Sequence, residues 1–236
     1  MSNAPSSNAA FLDSEQVVLK PEISALVFPA LEALGCVEHF FTLRATALGE
    51  DPKSDESLRA IREQHERALQ TIGYSRRKLA VAEQVHGNRI AVLNERPELP
   101  VAKTDGLLTK RRGLPLGIYV ADCNAVFIVD RKTPVIALLH SGKLGTQLNI
   151  VGKAIETMRV SFGTNPADCL AVLSPSIGPR HYEMDIWTEI ESQLAAAGVK
   201  DIVNPRICTA CHVDKFYSYR AEKGRTGRLL AVLALK

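Results

Sequence analysis

Two short apolar runs, residues 126–130 and 135–140, flank the polar stretch Arg131-Lys132-Thr133-Pro134, and no other part of the sequence restricts the fold so tightly. Each run is short and rich in Val, Ile and Leu, so the pair reads as two strands joined by a turn. If Asp130 pairs with Val135, Ala125 stands opposite His140, and residues opposite one another in an antiparallel pair share a face. Cys123 precedes Ala125 by two residues and so shares that face too. The hairpin therefore predicts a thiol and an imidazole converging at its open end. A one-residue slip of register would undo this arrangement.

The flanking sequence alternates between strand-like and helix-like patterns. The stretch "ALVFPALEALGCVEHFFTLR" reads as a strand, a turn at Gly35 and a second strand ending at Arg44. Leu58, Ile61, Ala68, Leu69 and Ile72 recur near helical spacing, with Ser54 or Asp55 to cap the helix and Gly73 to stop it. "KLAVAEQVHGNRIAVLNE" reads as two β-runs around a hairpin with His86 at its tip. After the Gly-rich "HSGKLGT", Leu148, Val151, Ile155 and Met158 mark one face of a helix. A strand running into a Pro/Gly loop, a helix over 186–197 and the closing strand "RLLAVLAL" follow. The pattern predicts a single α/β domain over residues 21–236, with a mixed central β-sheet flanked by helices, behind a disordered leader at 1–20.

Composition excludes several classes. A formal net charge of +3 with dispersed basic residues gives no footprint for nucleic acid. The two dense clusters, Arg76-Arg77-Lys78 and Lys110-Arg111-Arg112, read as turns. No window approaches the roughly 18 apolar residues of a membrane span. An odd number of cysteines, five, behind an N-terminus without a secretory signal points to free thiols in a reducing compartment. Cys208, Cys211 and His212 spell C-x-x-C-H, the haem-attachment pattern, but nothing directs this chain to a compartment where haem is attached.

Among the remaining reactive residues, His39 reads as structural, His65 as solvated on a polar helix, Cys36 and Cys169 as inert thiols, and His181 stays open. His86, Cys123 and His140 each end a β-run beside Gly, Asp or Ser. A thiolate with two imidazoles suits zinc and leaves a fourth position for water or substrate. Their separations match no compact zinc motif, so on the residues alone a metal centre and three unrelated side chains both stay open. "HSGKLGT" is open in the same way, as a phosphate-binding turn with Lys143 or as a plain helix cap.

The motifs "HFFTLR", "QVHGNR", "TDGLLT", "ADC", "LLHSG", "PSIGPRHYEMD" and "CTACHVDKFYSYR…TGR" stand in an order that resembles the YfiH-type laccase-domain family, also called the purine nucleoside phosphorylase/polyphenol oxidase family. The resemblance implies a metal, zinc with copper as the alternative, held by His86, Cys123 and His140. It implies phosphorolysis of adenosine, inosine or methylthioadenosine, with adenosine deamination as a second reaction; a nucleoside and phosphate are then the partners. Arg44, Asp122 and Cys123 are the catalytic candidates, and Arg44, Gln84 and Lys143 the substrate-binding ones. It also implies that Cys208 to His212 is a loop without haem. The chain departs from the family where "HAGWRGT" is usual: Lys143 and Leu144 replace Trp and Arg, exchanging a bidentate donor for a point charge. Copper-dependent polyphenol oxidation, amide hydrolysis in cell-wall precursor editing, and ligand binding without turnover are the rival expectations.

Overall fold

The computed structural model describes residues 15–46 and 51–236. In chain order its strands are β1 (Val18–Lys20), β2 (Ala25–Val27), β3 (Val37–Thr42), β4 (Ala80–Val81), β5 (Ile90–Val92) and β6 (Gly106–Thr109). They continue with β7 (Leu116–Val120), β8 (Asn124–Asp130), β9 (Val135–Ser141), β10 (Cys169–Leu173), β11 (Asp201–Val203) and β12 (Leu229–Leu235). The helices are α1 (Pro29–Glu32), α2 (Asp55–Thr71), α3 (Lys143–Gln147), α4 (Ile150–Phe162) and α5 (Ile186–Ala196).

The expected α/β domain is present, with its strands divided between two six-stranded mixed sheets. One runs β1-β2-β3-β12-β7-β4 and the other β11-β10-β8-β9-β6-β5. Their inner faces pack together, Phe41, Ile118, Leu229 and Leu233 meeting Phe127, Val129, Ile136 and Leu138. On the outer face of the first sheet, Ala68 and Leu69 of α2 cover Phe40, Leu230 and Val232. On the outer face of the second, α4 and α5 cover Val126, Ile128, Ala137 and Leu139. Every residue of β8, β9 and β12 is buried, because both faces of these strands are covered. That is why they read as unbroken apolar runs rather than as alternating patterns.

The β8–β9 register is the one the apolar pattern predicts, Asp130 opposite Val135 and Ala125 opposite His140. Asp130 pins the turn by accepting the amide hydrogens of Lys132 and Thr133, each at 2.9 Å.

Other expectations change. Residues around His86 form no hairpin: β4 pairs with β7 in the first sheet and β5 with β6 in the second, so this segment crosses between sheets. Each strand lies parallel to its partner, a pairing that local sequence cannot announce. Leu148 is exposed, because α3 ends there and Asn149, at φ 53°, starts α4 on a new axis. His65 is buried rather than solvated, its ring centroid 5.8 Å from that of Tyr119. The face of α2 that carries it also buries Gln64, whose amide donates to Leu43 O at 3.0 Å. His39 is structural as expected, its Nε2 accepting from Phe28 N at 2.8 Å. Of the expected leader, residues 1–14 lie outside the described residues, while Val18–Lys20 pair with β2.

Candidate metal centre and its pocket

The two sheets meet at one end in a cluster of donors. Cys123 immediately precedes β8, His140 lies in β9, and His86 sits on the segment crossing between sheets. Their ligand atoms all fall within 4.8 Å of one another. The His86 and His140 rings meet edge to face with centroids 4.8 Å apart. Gly142 makes room for this: a Cβ there would stand 2.7 Å from Cys123 Sγ. Among the described residues no fourth protein donor joins them, and a thiolate with two imidazoles fits a tetrahedral soft or borderline ion with one open position.

Asp105, just before β6 and fully buried, organises the cluster. Its Oδ1 meets His140 Nδ1 at 2.8 Å and accepts His86 N at 2.8 Å; its Oδ2 accepts Gly87 N at 2.8 Å and Val85 N at 3.2 Å. The Nδ1 contact fixes the ring of His140 and leaves Nε2 for the cluster. Burial alone would push the Cys123 thiol up, but the His140 and His86 imidazoles outweigh it and hold the group at about 6. Burial alone would lower His140, yet Asp105 and Cys123 beside it raise it to about 9. Burial also opposes ionisation of Asp105, but His140 and the amides of Gly87 and His86 leave it below the usual carboxylate range. Ion pairing thus prepares a thiolate where desolvation would otherwise favour the thiol.

The cluster floors a cavity of about 980 Å³. Lys143, Arg220, Lys223 and Arg228 bring cationic groups to its walls, and Tyr119, Tyr182 and Tyr219 bring aromatic ones. Glu183 accepts from both Lys143 Nζ and an Arg220 guanidinium nitrogen, each at 3.0 Å, and the Arg220 guanidinium lies 4.8 Å from the Tyr182 ring centroid. Among the described residues, Gln84, His86, Asp122 and Lys223 line the cavity in the left-handed φ region, at 62°, 62°, 83° and 51°. Non-glycine residues held this way gather where a surrounding network over-determines the backbone.

The sequence model described as "Multi-copper polyphenol oxidoreductase laccase" matches residues 44–185 and 180–236. The chain belongs to that laccase family. A purine nucleoside phosphorylase of Corynebacterium glutamicum is 30% identical over 235 residues, covering 84% of this chain and 94% of its own. One from Streptomyces griseus is 30% identical over 211 residues, covering 78% and 82%. In fold, the chain is similar to YfiH of Bacillus licheniformis, with a TM-score of 0.84 and 23% identity, and to YlmD of Geobacillus stearothermophilus, with 0.85 and 21%. Each match covers 94% of this chain and 100% of the other. Among the described residues no helix is long and apolar enough to cross a membrane.

Within this laccase-family pocket the candidate residues separate into groups. His86, Cys123 and His140 come together. Lys143 lines the pocket beside them, and so does Leu144. Gln84 lines it as well, but its amide is engaged with Tyr119, donating to O at 2.6 Å and accepting from N at 2.8 Å. Asp122 also reaches the wall, with Oδ1 accepting from Thr209 Oγ1 at 2.7 Å and Oδ2 from Arg220 N at 2.6 Å. Both carboxylate oxygens therefore hold loops. Arg44 stands away from the lining, paired with Glu222 at 2.7 Å and lying over the Tyr217 ring. The structure adds Arg220 and Arg228, which are the two arginines of the "SYR…TGR" motif. It also gives Asp105 its part in positioning His140, for which "TDG" was the signal.

Proposed function

We propose that the protein is a zinc-dependent purine nucleoside phosphorylase acting on adenosine, inosine or methylthioadenosine. The observation that carries this reading is a cavity with room for a nucleoside and phosphate together, above a thiolate–bis-imidazole floor and beside a cationic wall. The names of the Corynebacterium and Streptomyces relatives support it. Zinc on His86, Cys123 and His140 would supply Lewis acidity and a lowered pKa for bound water.

The rest is the work of the chain's own groups. Lys143 and Arg220 already accommodate a carboxylate, that of Glu183, and a phosphate dianion replaces it in their charge complement. The Tyr182 ring, backed by Arg220, offers an aromatic face to a purine. Asp122 keeps Arg220 and the pocket wall in position through its two hydrogen bonds, which makes it a positioning residue. Asp105 holds His140 in one tautomer. The five free cysteines fit a cytoplasmic protein.

The test is product chromatography from adenosine, with and without phosphate, on zinc-loaded protein. Adenine and ribose 1-phosphate formed only with phosphate support the proposal. Inosine in both samples, with no adenine or ribose 1-phosphate in either, would replace it with a deaminase. Absence of any product from nucleosides would overturn it and move the pocket to another substrate or to binding alone.

A further inference from the structure

The two cysteines of the C-x-x-C-H stretch take no part in the pocket chemistry above, and the turn that holds them has its own geometry. Cys208 caps a single 3-10 turn, Thr209–Cys211, that ends on the second cysteine, and Cys211 N donates to Cys208 O at 3.2 Å. That bond closes the turn and keeps the two sulfurs close together. A second turn faces it, in which His181 N donates to Gly178 O at 3.0 Å. The two loops are zipped together: Ser176 N donates to Ile207 O, and Thr209 N to Ser176 O, each at 3.1 Å. Gly178 allows the approach, since a Cβ there would stand 3.3 Å from Cys208 Cβ and 2.7 Å from the Trp187 ring. As a result the His181, Cys208 and Cys211 donor atoms lie within 4.8 Å of one another.

We propose that His181, Cys208 and Cys211 form a second zinc site, separate from the one on the pocket floor. A tetrahedral zinc ion with its usual bond lengths needs donors about 3.3–3.8 Å apart. His181 and Cys211 are exposed and rotate freely enough to close the difference, while Cys208 is buried and fixed. The amide of Gly178 already donates to Cys208 Sγ at 3.3 Å, an outer hydrogen bond of the kind that orients a ligating thiolate. Zinc binding displaces the two thiol protons and leaves a fourth position for water. Its structural effect is to fasten the 176–183 loop, which carries Tyr182 and Glu183, to the turn whose Thr209 holds Asp122. The proposal does not depend on the reaction catalysed.

Zinc per chain, measured on full-length protein after dialysis against a weak chelator under reducing conditions, tests it. Wild type should hold two ions, and Cys211→Ser and His181→Ala one each. Cys123→Ala should also hold one, retained at the second site. Cobalt loading reads the ligands: absorption from thiolate-to-cobalt charge transfer should be about twice as strong per ion in Cys123→Ala as in Cys211→Ser, two thiolates against one. One ion in wild type, unchanged by Cys211→Ser, would overturn the proposal. So would a Cys208–Cys211 disulfide in the purified chain with no second ion.

Discussion

The floor and the rim of the pocket are built by different means. The floor donors stand on β9, at the start of β8 and on the sheet-crossing segment, and one buried carboxylate fixes two of them. The rim groups Lys143, Glu183 and Arg220 stand on a helix start and two loops, and their mutual ion pairs are roughly half exposed. A floor made this way is stiff and has one arrangement, whereas the rim exchanges partners at little cost because exposed ion pairs contribute ~1 kcal/mol or less. Under the proposed function, binding an ion and choosing a substrate fall to parts of unequal rigidity.

This contrast breaks most visibly at Cys123. Cys123→Ala should abolish ion binding at the floor and turnover together while the fold persists; metal analysis, nucleoside assay and circular dichroism check the three. A variant that turns over without a floor ion would erase the distinction.

The next largest effect separates histidines of the floor from those that only pack. Burial holds His39 and His65 at about 4, below the ordinary 6.5. Between pH 6.5 and 4 the unfolded chain takes up protons at these rings and the folded one does not. Stability should fall across that window by up to about 3 kcal/mol for each histidine and level off below it. Urea midpoints at a series of pH values measure this. A flat profile from pH 6.5 to 4 would remove the assignment.

Asp105→Asn should weaken zinc at the floor by ~10–100-fold, because His140 loses its carboxylate partner. Competition with a chromogenic chelator reads the change; an unaltered affinity would mean that Asp105 only closes its turn. The smallest effects belong to the rim. Lys143→Ala should raise KM for phosphate by about threefold to tenfold with floor zinc unchanged. Arg44→Ala should leave that KM alone and lower stability by roughly 1 kcal/mol through loss of its Glu222 pair. If Arg44 and Lys143 behave alike in steady-state kinetics, the rim extends further than the cavity lining.

Much of the floor is legible in the sequence because a hairpin register depends on neighbours in the chain. Once Asp130 faces Val135, the place of His140 follows by counting. The position of His86 does not follow, since β4 and β5 take partners in different sheets and nothing local separates that crossing from a tight hairpin. The burial of His65 is hidden for a related reason: its helix is polar by composition, yet the stripe with Gln64 and His65 is buried. The family motifs bring Arg44 to notice, but only tertiary pairing with Glu222 shows where its charge is used. The rim is the least legible part, as Glu183 and Arg220 meet across a long stretch of chain on loops without periodicity.

Three consecutive amides, those of Val85, His86 and Gly87, all donate to the one carboxylate of Asp105. None of them can be released singly without leaving the others stretched over a charge that has lost part of its solvation. Their hydrogens should therefore exchange with solvent as a group, at a common rate set by separation of the two sheets rather than by fraying of a loop. An exposed stretch of backbone would in this way keep time with the slowest opening of the whole molecule.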